Sequence, residues 1–235
     1  MSDMGRPDES LKWMSEGFDY FAVRLGQLED DQLAEPSALP GWTRKHVIAH
    51  LGFNARAVGR LVRWAHTGQK TPMYPSPTAR AEEIAEGAQW NGKRLRRFVR
   101  DEQGALSDSL NALDDLAWTA EVVTGQGRTV PASELAWMRT REVWIHAFDL
   151  GAGGSFGDFP PAILDRLIAE AVAKHQAMGV MDLAVQATDR SGDAVGQPTR
   201  VEGTAADLAR WLTRRDPDGV RTADGSILPG LQPWL

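Results

Sequence analysis

The chain contains no cysteine. That absence rules out disulfides, thiolate metal ligands and a sulfur nucleophile carried by the protein, so any thiol chemistry has to be brought by a small molecule. No apolar run approaches the roughly 20 residues needed to span a bilayer. Residues 1–6 lead into no apolar segment of the signal-peptide kind, so a cytoplasmic protein without membrane attachment is expected. Basic blocks are missing as well. With 26 Lys and Arg against 32 Asp and Glu, the formal net charge is −6, and no stripe of cations is available to follow a phosphate backbone. Nucleic acid is not an expected partner.

What is present is ample apolar material. At 235 residues and 42% hydrophobic content, the chain can build one large domain or two small ones around real cores. Leu11, Met14, Phe18, Phe21, Leu25 and Leu28 recur at helical spacing and predict a first helix over residues 9–28, which Pro36 and Pro40 bring to an end. Thr43 is placed to cap a second helix that runs to residue 67, where Gly68 and the prolines at 72, 75 and 77 stop it. A third helix is expected over residues 78–116 with an interruption at Gly104; its many charges, among them Glu82, Glu83, Arg94, Arg96, Arg97 and Arg100, read as a solvated face. Residues 122–130 have strand-like residues around two glycines, and Pro131 falls where the first turn of a fourth helix is expected.

That fourth helix ends at Leu150 before Gly151, where the composition changes, so a domain boundary is expected there, with domains at 1–152 and 153–235. Beyond it the pattern predicts a helix over residues 161–178, a strand at 183–188, a turn at Ser191-Gly192-Asp193, a strand at 200–203 and a helix opened by Thr204-Ala205-Ala206-Asp207. The expected fold class is a helical bundle followed by a smaller α/β domain.

The fourth helix carries the chemistry. Leu135, Met138, Glu142, Ile145 or His146, and Asp149 trace one stripe that begins apolar and ends ionisable. A carboxylate and an imidazole on an inward face need compensation, because burying them unpaired is costly. On the second helix the stripe Val47, His50 or Leu51, Asn54, Val58 and Leu61 also turns polar midway, which offers His50 as a third member. Two imidazoles and a carboxylate, with one position left for water or substrate, are the ligand set of a catalytic zinc site. Other readings stay open: Arg139, Arg141 or another cation could neutralise Glu142, and the histidines could be hydrogen-bonded core residues. A single divalent ion has the advantage of satisfying all three groups at once. His46 also has ligand spacing to His50 but ranks below it, nearer the helix start.

Of nine tryptophans, Trp42, Trp64, Trp137 and Trp144 lie on or beside these helices, as core residues or as an aromatic wall near a metal. In the last helix, Arg214 and Arg215 close the C-terminal turn; one suits the helix dipole, and the other could reach an anionic ligand.

With these residues in view, the chain resembles the mycothiol-dependent maleylpyruvate isomerase family of the DinB-like metal-binding superfamily. The resemblance rests on Gly41-Trp42-Thr43-Arg44 with Ile48-Ala49-His50, on Trp64-Ala65 through Thr71-Pro72-Met73-Tyr74, on Gln126-Gly127-Arg128-Thr129-Val130-Pro131-Ala132-Ser133-Glu134, and on Trp137-Met138-Arg139 through Arg141-Glu142-Val143-Trp144-Ile145-His146. It implies an N-terminal DinB-like four-helix bundle in which His50, Glu142 and His146 hold zinc, and a C-terminal α/β domain whose last helix supplies a catalytic arginine, carried to Arg215 ahead of Arg214. The implied reaction is the isomerisation of maleylpyruvate to fumarylpyruvate in gentisate breakdown, with mycothiol as thiol cofactor: thiolate addition, bond rotation and elimination. The implied partners are a dicarboxylate substrate and a low-molecular-weight thiol. Asn54 and Asp149, each within four residues of a ligand, are candidates to orient an imidazole or hold the thiol, with helix packing as the alternative. Arg128 and Gln126 could contact the thiol from their loop or simply build a turn. A mycothiol S-transferase and a non-catalytic metal-binding module remain the competing functions.

Overall fold

A computed structural model describes residues 5–180, 183–191, 195–196 and 199–232. The chain divides into two compact units, Met1–Gly154 and Ser155–Leu235.

The first unit is a bundle of four long helices, α1 (Asp8–Gly26), α2 (Arg44–Thr67), α4 (Gly92–Asn111) and α6 (Glu134–Asp149), with two short helices, α3 (Ala79–Gly87) and α5 (Asp115–Thr119), and a hairpin of β1 (Glu121–Val123) and β2 (Thr129–Pro131). Helix α2 packs against α4 and α6, and α1 packs against α6. Most side chains of α6 are buried, including Arg139, Glu142, His146 and Asp149 among its apolar residues, as suits a helix central to the bundle. Close approach sets two of these contacts. A Cβ at Gly17 on α1 would stand 2.5 Å from Trp144 Nε1 on α6, so glycine is what lets the indole settle there and donate to the Trp13 carbonyl at 2.9 Å. At Gly52 on α2 a Cβ would meet the Phe98 ring of α4 at 2.3 Å.

The region expected to hold one long helix is three. Asn91 accepts from the Arg94 amide and starts α4, and Asp114 accepts from the Ala117 amide and starts α5. Gly104 lies inside α4 without breaking it; a mid-helix glycine costs only about 1 kcal/mol, and buried Leu106 and Leu110 on the following turns hold the helix to the core. Nor is every charge of this region mere surface. Arg96 donates to the Leu25 and Leu28 carbonyls at 2.6 and 2.5 Å, closing the open end of α1. Pro131 belongs to β2 rather than to a helix: it pairs with Glu121, and the Ala132 and Ser133 amides continue the pairing to Ala120 and Trp118.

The second unit contains α7 (Pro161–Ala177), β3 (Leu183–Ala187), β4 (Val195–Gly196), β5 (Thr199–Gly203), α8 (Ala205–Leu212) and β6 (Arg221–Thr222). Its sheet has the order β4-β3-β5-β6, with β3 and β5 parallel and both outer strands antiparallel. Both helices of the unit pack on this sheet and on each other. Thr204 caps α8 by accepting from the Asp207 amide at 3.2 Å. The turn expected at Ser191-Gly192-Asp193 lies, beyond Ser191, outside the described residues. Among the described residues no helix is long and apolar enough to cross a membrane.

Candidate metal centre

Helices α2 and α6 bring three groups to one point. One ligand atom each of His50, Glu142 and His146 lies within 4.8 Å of the other two, and all three residues are buried. His50 Nε2 is 2.7 Å from Glu142 Oε2, and His146 Nε2 is 3.3 Å from the same oxygen. The imidazoles stand edge to face, with ring centroids 4.6 Å apart.

Asp149, fully buried one turn beyond His146, takes the outer nitrogen of that ring: His146 Nδ1 to Asp149 Oδ2 is 2.8 Å. A carboxylate at Nδ1 fixes the tautomer and turns the Nε2 lone pair inward, as metal-ligating histidines require. The ends of the two helices are also tied together. Arg44, at the start of α2, donates to the carbonyls of Leu150 and Gly151 just past α6, both at 3.1 Å, and the Ala38 amide donates to the Asp149 carbonyl at 2.9 Å.

Electrostatics prepare the set for a cation. Burial pushes His50 down to about 4, with the charges of His146 and Arg80 acting the same way against its hydrogen bond to Glu142, so its ring is neutral near pH 7. Burial would raise Glu142, but hydrogen bonds from His146 and His50 overcome it and hold the carboxyl well below its ordinary range. For His146 burial favours the neutral ring, and the bonds to Asp149 and Glu142 outweigh it, so its proton is held more tightly than usual. Two neutralisable imidazoles and a carboxylate converging in a buried pocket fit a zinc ion in donor type and number.

The remaining expected residues fall into different surroundings. His46 is drawn into the helix cap, its Nδ1 accepting from the Thr43 amide at 3.2 Å and lying 2.8 Å from Thr43 Oγ1. Asn54 is buried one turn along from His50, but its Oδ1 accepts from Arg139 Nη1 at 2.7 Å. Arg128 is exposed in the β1–β2 hairpin, where its backbone closes the turn on Thr124. In the second unit, exposed Arg214 ends α8 in the left-handed region at φ 63°. The amide of half-buried Arg215 returns to the Arg210 carbonyl, and its guanidinium donates to the Thr213 carbonyl.

Three neighbours of the triad escaped the periodicity. The Trp42 ring stands edge-on to His50, with centroids 5.7 Å apart. Tyr74 is half-buried; burial pushes its phenol up to about 12, the charge of Glu142 adds to this, and the Arg80 guanidinium that hydrogen-bonds it opposes. Arg139 is wholly buried on α6, one turn before Glu142. Tyr74 is one of only two tyrosines and Arg139 lies beside the inward stripe, so both had a signal in the sequence, but neither follows from spacing alone.

Taken together, bundle, buried His-Glu-His set and attached α/β unit define a protein of the metal-binding four-helix-bundle class. Comparison with known proteins narrows this. The family described as the mycothiol maleylpyruvate isomerase N-terminal domain matches residues 14–151. A crystal structure of the mycothiol-dependent maleylpyruvate isomerase is 40% identical, with a TM-score of 0.91 over 97% of each chain. A histidine-to-alanine mutant of that isomerase matches with the same identity, TM-score and coverage. YfiT from Bacillus subtilis, a probable metal-dependent hydrolase with an unusual four-helix bundle topology, is 16% identical with a TM-score of 0.49 over 62% of this chain and 85% of its own; nothing about this chain follows at that level. No curated protein matches. The chain belongs to the mycothiol-dependent maleylpyruvate isomerase family, a family of enzymes.

Proposed function

We propose that the protein is a cytoplasmic, zinc- and mycothiol-dependent isomerase that converts maleylpyruvate to fumarylpyruvate, a step of gentisate breakdown. The observation that carries this reading is the convergence of His50 Nε2, His146 Nε2 and Glu142 Oε2 in a cysteine-free chain of this family. These three residues would hold zinc, with Asp149 keeping the His146 lone pair turned toward it. Zinc would supply the Lewis acidity that keeps a borrowed thiol as thiolate, the form able to add reversibly to a carbon–carbon double bond and so free it to rotate.

The chain's own residues would do the rest. The Trp42 ring packs edge-on against His50, and such an aromatic neighbour would lower the local polarisability and strengthen charge interactions at the triad. Arg215 would hold a substrate carboxylate or the enolate charge in the bidentate manner open to a guanidinium. No redox change is required of the protein.

The test is incubation of the zinc-loaded protein with maleylpyruvate, with and without mycothiol. Thiol-dependent formation of fumarylpyruvate, with mycothiol recovered unchanged, is the expected outcome. Conversion that ignores the thiol, or none at all, would overturn the reading, and net consumption of mycothiol would indicate a transferase instead.

A further inference from the structure

Arg139 has 0% exposure, yet among the described residues no carboxylate hydrogen-bonds it. Its Nε donates to Gln103 Oε1 of α4 at 3.0 Å and its Nη1 to Asn54 Oδ1 of α2 at 2.7 Å, both neutral amides. Its Nη2 has no hydrogen-bond partner among the described residues. A guanidinium buried on neutral partners, with a donor left over, is a poor way to stabilise a bundle; apolar side chains of similar volume do that better. A group kept buried at such cost calls for an explanation outside packing.

Its place offers one. Asn54 follows His50 by one turn of α2 and Arg139 precedes Glu142 by one turn of α6, so the guanidinium occupies the layer next to the triad, about 5 Å along the helix axes. Burial lowers it only to about 10, with the charge of Glu142 opposing the fall, so it remains a cation at neutral pH. The Tyr74 phenol, pushed up to about 12, is neutral at that pH and leaves Glu142 as the charge that acts on the guanidinium. Being clamped by two helices other than its own, it cannot swing away, and a fixed cation in a poorly polarisable interior needs no reorganisation when negative charge arrives nearby.

We propose that Arg139 is a positioning residue of the site, a fixed cation anchored by Asn54 and Gln103 that stabilises the negative charge of a thiolate held beside His50, Glu142 and His146. This rests on the function proposed above. It predicts that the charge of Arg139, rather than its shape, sets thiol affinity, whereas metal affinity does not depend on that charge for support, since a cation repels a cation.

The experiment loads the full chain with cobalt(II) and titrates mycothiol, reading the visible thiolate-to-cobalt absorption. Cobalt affinity is measured by chelator competition and folding by thermal melting. The variants are Arg139→Lys, Arg139→Gln and the apolar layer Arg139→Met with Asn54→Leu and Gln103→Leu. Removal of the charge should weaken mycothiol binding by at least about tenfold, as expected for one unit charge a single layer away in a protein interior. Lys should stay within about threefold of the wild type, and cobalt affinity should hold or tighten in every variant. Unchanged thiol affinity in a cobalt-loaded, charge-free variant overturns the proposal, as does an equal loss in Lys and Gln. Failure of all variants to load cobalt also overturns it, by showing that Arg139 assembles the triad. If the wild type itself loads cobalt but gives no mycothiol band, it is the functional reading that fails.

Discussion

The layer of His50, Glu142 and His146 and the layer of Arg139, Asn54 and Gln103 lie about one helical turn apart in the same bundle, both buried, on opposite plans. In the second, acceptors surround a cation that the chain itself provides. In the first, two ring nitrogens approach one carboxylate oxygen at 2.7 and 3.3 Å, and a second carboxylate, Asp149, stands behind. A bundle can bury polar groups either by pairing them internally or by aiming them at something else. The difference lies in charge: one cluster surrounds a cation of the chain's own with neutral amides, the other turns two imidazoles on one carboxylate oxygen, and burial alone does not distinguish them.

The strongest way to break this contrast is to remove the carboxylate on which the rings converge. Glu142→Gln keeps the shape but loses the charge, and metal analysis after chelator competition should show affinity falling by more than about a hundredfold, beyond what loss of an outer partner costs. Near-native affinity would mean that the triad is a self-contained hydrogen-bonded cluster and not a metal site. Asp149→Asn comes next: removing the acceptor that fixes the His146 tautomer should cost 10- to 100-fold in metal affinity, while His50 and Glu142 stay in place.

The smallest effect sharpens the contrast by pH. Metal needs the lone pair of neutral His146, whose folded pKa is raised, so protons already compete near neutrality and affinity should fall as pH drops, approaching about tenfold per unit below that pKa. His50, lowered to about 4, adds competition only in more acidic solution. In Asp149→Asn the His146 window should move to lower pH. A pH-independent affinity between pH 8 and 6 would contradict this assignment.

How far the site could be read in the sequence follows from what periodicity encodes. Spacings of three and four place side chains on one face, so His50, Glu142, His146 and Asp149 were legible as inward groups on two helices. Which groups then pair across helices is not encoded in spacing. Asn54 looked equally suited to orient an imidazole, but Arg139, from a different helix, takes its carbonyl. The division of the third expected helix is hidden for a similar reason: Gly104 is the visible breaker, whereas the real breaks lie at Asn91 and Asp114, ordinary polar residues until their side chains cap the next helix. Pro131 suggested a helix start because proline favours a first turn, but the β1–β2 pairing reaches it first.

The Arg44 bridge carries a consequence in time. Because that one side chain joins the start of α2 to the carbonyls past the end of α6, the histidines on the two helices cannot drift apart without breaking it. Metal uptake by the proposed site would then require no docking of helices, only entry into a preassembled set of ligands and departure of a proton. Amide exchange in α2 and α6 should therefore be slow before metal is added as well as after.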